Sequence, residues 1–400
     1  MMNSQKQKLE LLGTAPIPKA LLAMGIPTMI GMLINALYNL VDAYFVGGLG
    51  ESQMGAISIV YPLGQVVVGL GLLFGNGAAS YISRLLGQGK EEQANKVAST
   101  SLYCSLSTGI ILILFCVVFL KPILLLLGAT KSILPYAMTY AGIYIISCIF
   151  NVFNVTMNNI VTSEGAAKTT MCALLAGAIL NIVLDPIFIY TFELGVAGAA
   201  IATAISQVVS TLVYLYYLFS KKSIFRFHLK DCSFSKEIFS EIFKIGIPTL
   251  VFQLLTSLSI SLINNTSGNY GDAAIAGMGV VTRLVSMGSL TVFGFIKGFQ
   301  PIAGYSYGAK KYERLRQAIK TSILWSTIFC VAAGFGFVLF PAQIISQFTT
   351  GNAEMIRIGA DSLRINGITF MLFGYYTVYS SLFLALGKGK EGFLLGACRQ

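Results

Sequence analysis

Charged residues divide the chain into long apolar windows. Charge-free stretches run over 20–50 (interrupted only by Asp42), 52–83, 97–120, 132–163, 169–192 (interrupted only by Asp185) and 194–220. A polar stretch at 221–244 follows. The windows resume at 245–271, 273–296 (interrupted only by Arg283), 321–353 and 365–387, and an eleventh apolar run opens after Glu391. A charge at the bilayer centre costs at least about 2.5–3.5 kcal/mol, and a membrane-spanning helix needs roughly 20 apolar residues. The pattern therefore predicts ten complete spans and the start of another. These runs are continuous, not the roughly ten-residue alternating segments of a membrane barrel, so the expected fold is an all-α polytopic membrane protein. The first 18 residues are polar, with Lys6 and Lys8, and no small-residue cleavage site follows a short apolar core. The first span thus reads as a retained helix, not a signal peptide.

Composition agrees. The 400 residues are 55% hydrophobic and 11% charged, with mean hydropathy +0.76. Soluble chains carry roughly 25% charged residues, so a soluble enzyme, a disordered chain and a fibrous protein are all excluded. The net charge of +11 would suggest nucleic acid only if the basic residues formed one patch. With the N-terminus placed in the cytoplasm, 21 Lys and Arg fall in inside segments, Lys297 among them, and only Lys121, Lys131, Arg357 and Arg364 outside. Basic residues favour the cytoplasmic side. The excess is therefore topological, and no nucleic-acid partner is expected.

The sequence repeats at an offset of 221. Gly25-Ile26-Pro27-Thr28 matches Gly246-Ile247-Pro248-Thr249, and Gly47, Gly50, Gly77, Gly87 and Lys90 match Gly268, Gly271, Gly298, Gly308 and Lys311. A one-residue slip then aligns Gly165 with Gly387. Matches at Gly, Pro and charged loop positions at one offset are not chance similarity of apolar helices. Each copy holds six spans. The two copies insert in the same orientation, related by a pseudo-two-fold along the membrane normal. The expected organisation is a first lobe at 1–220, a cytoplasmic linker at 221–244 and a second lobe at 245–400. On a 12-span plan the last one to two spans are missing, and a second full copy needs roughly 40–50 more residues by analogy with spans 5 and 6. Short amphipathic cytoplasmic helices are expected at 90–96 and 311–320.

Two acids interrupt the spans. Intramembrane carboxylates are costly and usually functional. Span 1 exits near Gly47-Gly48, which puts Asp42 about one to two turns below the exit. Asp185 lies about two turns below the exit of span 5, and Thr203 at a similar depth on span 6. Asn35, Asn39 and Asp42 share one helix face, as do Asn181 with Asp185, Thr203 with Gln207, and Asn154 with Asn158. Pro186 lacks an N–H and loosens the helix beside Asp185. Such a pocket has two chemistries. Two carboxylates in a low-dielectric site cannot both stay ionised cheaply, so one can hold a proton. The same carboxylates with amide and hydroxyl oxygens also form a hard oxygen set suited to Na⁺. The residues do not choose between these.

The residues also resemble a known family, the multidrug and toxic compound extrusion (MATE) transporters, closest in look to its MepA-like/DinF-like bacterial branch. The resemblance rests on Gly25-Ile26-Pro27, Asp42, Ser83-Arg84-Leu85-Leu86-Gly87-Gln88-Gly89-Lys90, Asn181-Ile182-Val183-Leu184-Asp185-Pro186 and the stretch from Gln300-Pro301 to Lys310-Lys311. It implies a 12-span secondary antiporter exporting cationic amphipathic drugs or toxic compounds in exchange for H⁺ or Na⁺. By the same resemblance, Asp42, Asn181, Asp185 and Thr203 match the family's first-lobe cation site. A lipid-bound monomer in the cell membrane, needing no cofactor beyond the coupling ion, is expected.

Other features are secondary. Gln253, Ser257, Ser261 and Asn264 form a polar stripe on span 7, where Ile263 stands opposite Asp42 in the repeat. Gln253, Tyr38, Asn35, Asn39, Asn154, Asn158 and Gln207 are candidate cavity-lining residues, although interhelical hydrogen bonding is the plainer role for Gln253. Tyr61, Phe153, Met157 and Met287 offer apolar or cation–π contacts to a drug, with packing the plainer role. Seven scattered cysteines and a single His228 in the linker show no metal or disulfide spacing. Gly87-Gln88-Gly89-Lys90 lacks the spacing of a phosphate loop. The alternative function is a lipid-linked precursor flippase of the same superfamily. Flippases of polyanionic lipids should line the cavity with Arg or Lys, whereas the windows hold Arg283 against two Asp. An enzyme is not expected, since the spans hold no paired His, metal cluster or nucleophile–base arrangement.

Overall fold

The computed structural model describes residues 2–268, 272–348 and 353–397. Every long apolar window becomes a helix, and several helices run beyond their windows into the flanking polar residues. They are α1 (Met2–Gly13), α2 (Ile17–Gly47), α3 (Glu51–Gly87), α4 (Glu91–Val118), α5 (Leu120–Leu126), α6 (Leu134–Ser163), α7 (Ala167–Pro186) and α8 (Gly195–Phe219). Beyond the linker come α9 (Lys236–Gly268), α10 (Asp272–Gly308), α11 (Tyr312–Leu339), α12 (Pro341–Ser346), α13 (Ala353–Ala385) and α14 (Gly389–Ala397). Among the described residues ten helices are long and apolar enough to cross a membrane.

The repeat is explicit in the helix ends. α3 and α10 begin and end 221 residues apart, as do α4 and α11. Gly165 and Gly387 share the left-handed backbone region, at φ 91° and 80°. Gly89 (φ 74°) corresponds to Lys310 (φ 56°), so the second copy forces a lysine into a turn better suited to glycine. The amphipathic helices expected at 90–96 and 311–320 are not separate. Those residues form the first turns of α4 and α11, since nothing after Lys90 or Lys311 breaks the helix.

Two bundles form, α2–α8 and α9–α14, joined at the end that carries the linker. The seam is built from α2 and α3 against α10 and α9. A Cβ on Gly298 would lie 2.5 Å from the Gly25 nitrogen, and one on Gly25 would lie 2.7 Å from the Phe295 ring. The symmetry-related contacts repeat this: Gly77 abuts the Ile242 carbonyl and Gly246 the Leu73 carbonyl, while Gly87 meets Tyr305 and Gly308 meets Arg84. Thr28 Oγ1 donates to the Gly294 carbonyl at 2.6 Å across the seam. Toward the other end, Gly31, Gly55 and Gly64 meet only their own bundle, against Leu174, Ile133 and Tyr144. The repeated glycines of the linker end, unlike Gly47 and Gly50, are thus the places where the two copies approach closely.

Residues 2–13, read from the sequence only as a polar leader, form a helix that ties the bundles together. Lys8 donates to Tyr217 and to the Lys222 carbonyl (2.6 Å), and pairs with the fully buried Glu164 at 3.7 Å. Burial pushes the Glu164 carboxyl up, against the pull of Lys8 and of hydrogen bonds donated by Tyr217, Ser223 and the Ile224 N–H. From the other bundle, Arg314 donates to the carbonyls of Leu11, Leu12 and Ala15, and Lys311 to that of Gly13. These cations cap the C-terminal end of α1, where bare carbonyls favour positive charge. At the same end Arg84 pairs with Glu241 at 2.6 Å.

Gly298→Ala should cost about 1–3 kcal/mol through overpacking against backbone, read as a lower unfolding temperature. Gly336→Ala, where a Cβ meets nothing within 4 Å, should show no such loss. Equal effects of the two substitutions would contradict the seam's close packing.

Candidate functional site

The two intramembrane acids stand on α2 and α7, which pack directly on each other. Asp185 and Asn181 are essentially fully buried. Asn181 Nδ2 donates to Asp185 Oδ1 at 3.2 Å, the i, i+4 contact that the sequence spacing allows. Asp42 lies within electrostatic reach of Asp185, and Tyr38 within reach of both. After Pro186 the helix does not stop. It widens into a π turn over Ile187–Thr191, and Tyr190 ties that turn back to α2 by donating to the Phe45 carbonyl at 2.6 Å. A missing N–H followed by a π turn is the local loosening expected beside Asp185.

A cavity with about 40 Å³ of free space adjoins Asn181. Its wall brings together Asn35, Tyr38, Asn154, Asn181, Thr203 and Gln207, all singled out from sequence. Ser206, Ser210 and Tyr214 join them. These were missed, although Ser206 and Ser210 continue the polar face begun by Thr203 at helical spacing. A water needs roughly 10–15 Å³ on this measure, so the space holds a few waters or a hydrated ion and excludes a drug-sized molecule.

Hydrogen bonds sort the wall into satisfied and bare groups. Asn154 Nδ2 donates to Gln207 Oε1 at 2.8 Å, and Asn154 Oδ1 accepts from Thr211 at 3.0 Å. By contrast, Asp42 Oδ1, Asn181 Oδ1, Asp185 Oδ2 and Ser206 Oγ are buried without a hydrogen-bond partner. Buried polar atoms are normally satisfied. Of these four residues, Asn181 and Ser206 line the cavity, while Asp185 adjoins it through Asn181 and Asp42 lies within electrostatic reach of Asp185. The carboxylate and amide oxygens are acceptors that a proton or a hard cation would complete.

Not every candidate joins this site. Asn39 is exposed and donates to Asn35 Oδ1 at 3.1 Å. Asn158 does not line the cavity but bonds to its wall, donating to Tyr214 at 3.2 Å and accepting from Lys297 of α10. Gln253 donates to Gln65 across the seam at 2.8 Å, the interhelical role. The side chains of Ser257, Ser261 and Asn264 lie outside the described residues, as does Cys398. Phe153 and Met157 are core residues of the first bundle, while Tyr61 and Met287 are exposed. Arg283 is exposed as well.

Lys297 requires a correction. The sequence puts it at the inner edge of a span that ends at 296, yet α10 continues to Gly308 and carries Lys297 inside the helix. The interior therefore holds one more cation than the window count gave. It stands at the seam and not in the cavity lined by Asn181.

Comparison with known proteins follows from this geometry. The MatE family profile matches residues 27–187 and 248–399. The chain is 33% identical over 383 residues to the multidrug export protein MepA of Staphylococcus aureus (strain N315), covering 94% of this chain and 83% of that protein. It is 35% identical over 381 residues to MepA of Staphylococcus saprophyticus subsp. saprophyticus, covering 93% and 82%. It is also similar to the outward-facing conformation of a multidrug resistance MATE family transporter of the MOP superfamily. That match has a TM-score of 0.91 and 30% identity over 98% of this chain and 87% of that one. A MOP superfamily transporter from Pyrococcus furiosus, described as having a binding pocket of reverse polarity, superposes with a TM-score of 0.89 at 31% identity, with the same coverage.

Asn154→Ala should leave Gln207 Oε1 without its donor, while Thr211 keeps its bond to the Gln207 carbonyl, and cost about 1–3 kcal/mol, measured as a lower unfolding temperature. Asn39→Ala, at an exposed pair, should leave it within about 0.5 kcal/mol. An Asn154→Ala protein as stable as the parent would show that this wall is not a packed polar network.

Proposed function

The chain belongs to the MatE family of multidrug and toxic compound extrusion transporters, which are not enzymes, and from that premise we propose that it is a secondary antiporter. It exports cationic amphipathic compounds in exchange for H⁺ or Na⁺. The observation that carries this reading is the set of bare oxygens on Asp42, Asn181 and Asp185: Asn181 lines a cavity of ion or water size and is bonded to Asp185, with Asp42 in electrostatic reach of Asp185. Nothing in that set needs a resident cofactor.

Asp185 is the primary cation-binding group, because it is fully buried and half of its carboxylate is unpartnered. Asn181 fixes its orientation through Nδ2 and offers Oδ1 to the same ligand. Asp42 supplies the second negative charge, and Thr203 an additional hydroxyl oxygen from α8. A proton on one acid removes the mutual repulsion, and a sodium ion offsets both charges. Either event changes the field at the α2–α7 contact. α2 also packs on α10, so a change there reaches the seam between the lobes.

With the linker and N-terminus in the cytoplasm, as the distribution of Lys and Arg supports, the glycine seam closes the cytoplasmic side and the arrangement is outward-facing. Alternating access then consists of unzipping the contacts of Gly25, Gly77, Gly246 and Gly298 and rocking the lobes about the midplane. Lys297 weakens the inference of cationic cargo from charge counts alone. The inference rests instead on the separation of charge: both intramembrane acids sit together in the first lobe. The working unit is a monomer in the cell membrane.

Efflux of a fluorescent cation from proteoliposomes, with a pH gradient or a sodium gradient imposed separately, tests the function. One gradient should drive transport, and Asp42→Asn and Asp185→Asn should each abolish it with expression unchanged. Transport with neither gradient, or normal efflux in both variants, would refute the antiporter.

A further inference from the structure

Lys297 sits about 16 Å from the linker end of α10 by helical rise, at the seam between the lobes. Among the described residues its ammonium has one hydrogen-bond acceptor, Asn158 Oδ1 on α6 of the other lobe, and no carboxylate within ion-pair distance. Asn158 in turn donates Nδ2 to the hydroxyl of Tyr214, which is 1% exposed. Tyr214 belongs to the wall of the first-lobe cavity that Asn181 lines. Lys297 lines a different and smaller space at the seam, with about 10 Å³ free. A chain of three side chains thus runs from the lobe seam to the cavity of Asn181 and Ser206.

The direction of that chain is fixed by chemistry. An ammonium only donates, so Asn158 must turn its carbonyl oxygen to Lys297 and its amide nitrogen to Tyr214. Tyr214 must then accept at its oxygen, and its own O–H hydrogen has to point elsewhere. The cavity it lines contains Asn181 Oδ1 and Ser206 Oγ, both buried and unpartnered. A donor-only residue on the second lobe therefore sets the orientation of a donor in the first lobe's cavity. Removing Lys297 frees the amide of Asn158 to turn over, and the Tyr214 hydroxyl loses its imposed direction.

We propose that Lys297 is a positioning residue that links closure of the lobe seam to cation binding in the first-lobe cavity through Asn158 and Tyr214. This rests on the reading of that cavity as the cation site. When the lobes part at the linker end, Lys297 withdraws from Asn158 and the cavity loses its fixed polarity. Coupling of this kind is reciprocal: cation binding favours one seam arrangement by the same factor by which that arrangement favours the cation.

The test uses the purified full chain in detergent. Its unfolding temperature is followed while Na⁺ is titrated at alkaline pH and, separately, while protons are titrated without sodium. Lys297→Gln can donate or accept and no longer fixes the amide, so half-saturation by the stabilising cation should weaken about tenfold, the scale of one hydrogen bond to a charged group. Lys297→Arg is still donor-only and should keep the parental value. Tyr214→Phe should match Lys297→Gln, and the double variant should be no weaker than either single one, because the residues act in series. Parental half-saturation in Lys297→Gln, or multiplied effects in the double variant, would overturn the proposal. Asp185→Asn separates the two readings. Loss of the cation response in that variant alone overturns the relay and keeps the site, whereas a parental response in Asp185→Asn, or no response in the parent, overturns the cation site and the relay with it.

Discussion

Inside a membrane bundle no bulk water is available to satisfy a polar atom, so each must find a partner within the protein. This chain meets that constraint at many of its buried polar groups. The seam threonines donate to carbonyls, Asn154 is bonded on both sides, and Lys8 and Arg314 spend their donors on backbone oxygens. Among the described residues the acceptor-only side-chain oxygens left buried and bare belong to Asp42, Asn151, Asn181 and Asp185. Three of these four residues are neighbours: Asn181 lines the cavity and donates to Asp185, and Asp42 is in electrostatic reach of Asp185. Buried hydroxyls such as Ser99, Ser306 and Ser381 also lack a partner, but a hydroxyl can turn to donate, whereas a bare carboxylate or amide oxygen is completed only by a donor or a cation.

The second organising feature is backbone approach. Six glycines related by the repeat, Gly25, Gly77, Gly87, Gly246, Gly298 and Gly308, allow α2, α3, α9 and α10 to touch at the linker end, where a Cβ would meet backbone atoms or, at Gly25, the Phe295 ring. Association in lipid draws on such packing because helices gain no hydrophobic advantage from leaving apolar tails. Since the contacts lie at one end only, they form an interface that can open without dismantling either lobe. The α1 helix and the Arg84–Glu241 pair reinforce that same end.

Much of this was legible in the sequence because the membrane imposes a simple code. Charge spacing gave the spans, and the offset of 221 gave the pairing of α3 with α10 and of α4 with α11. Helical periodicity put Asn181 beside Asp185 and Thr203 beside Gln207. What stayed hidden depended on contacts between distant segments. The polar composition of residues 2–13 shows no apolar window, yet the segment folds as a helix because Lys8 and the carbonyls of Leu11 to Ala15 find partners on both lobes. Charge counting placed Lys297 at a loop edge, since it assumed that a span ends at its first charge. The helix continues because Asn158 accepts the ammonium from across the seam. Tyr214 gave no signal at all: an aromatic residue in an apolar span reads as packing until its hydroxyl is seen at the cavity wall.

The central claim is that the buried carboxyl of Asp185 takes up and releases the coupling cation. Infrared difference spectroscopy of the reconstituted protein reads this directly, comparing low and high pH without sodium and then with and without sodium at fixed pH. The account predicts a carboxyl or carboxylate band that changes with one of these cations and vanishes in Asp185→Asn. A difference spectrum left unchanged by Asp185→Asn would contradict it.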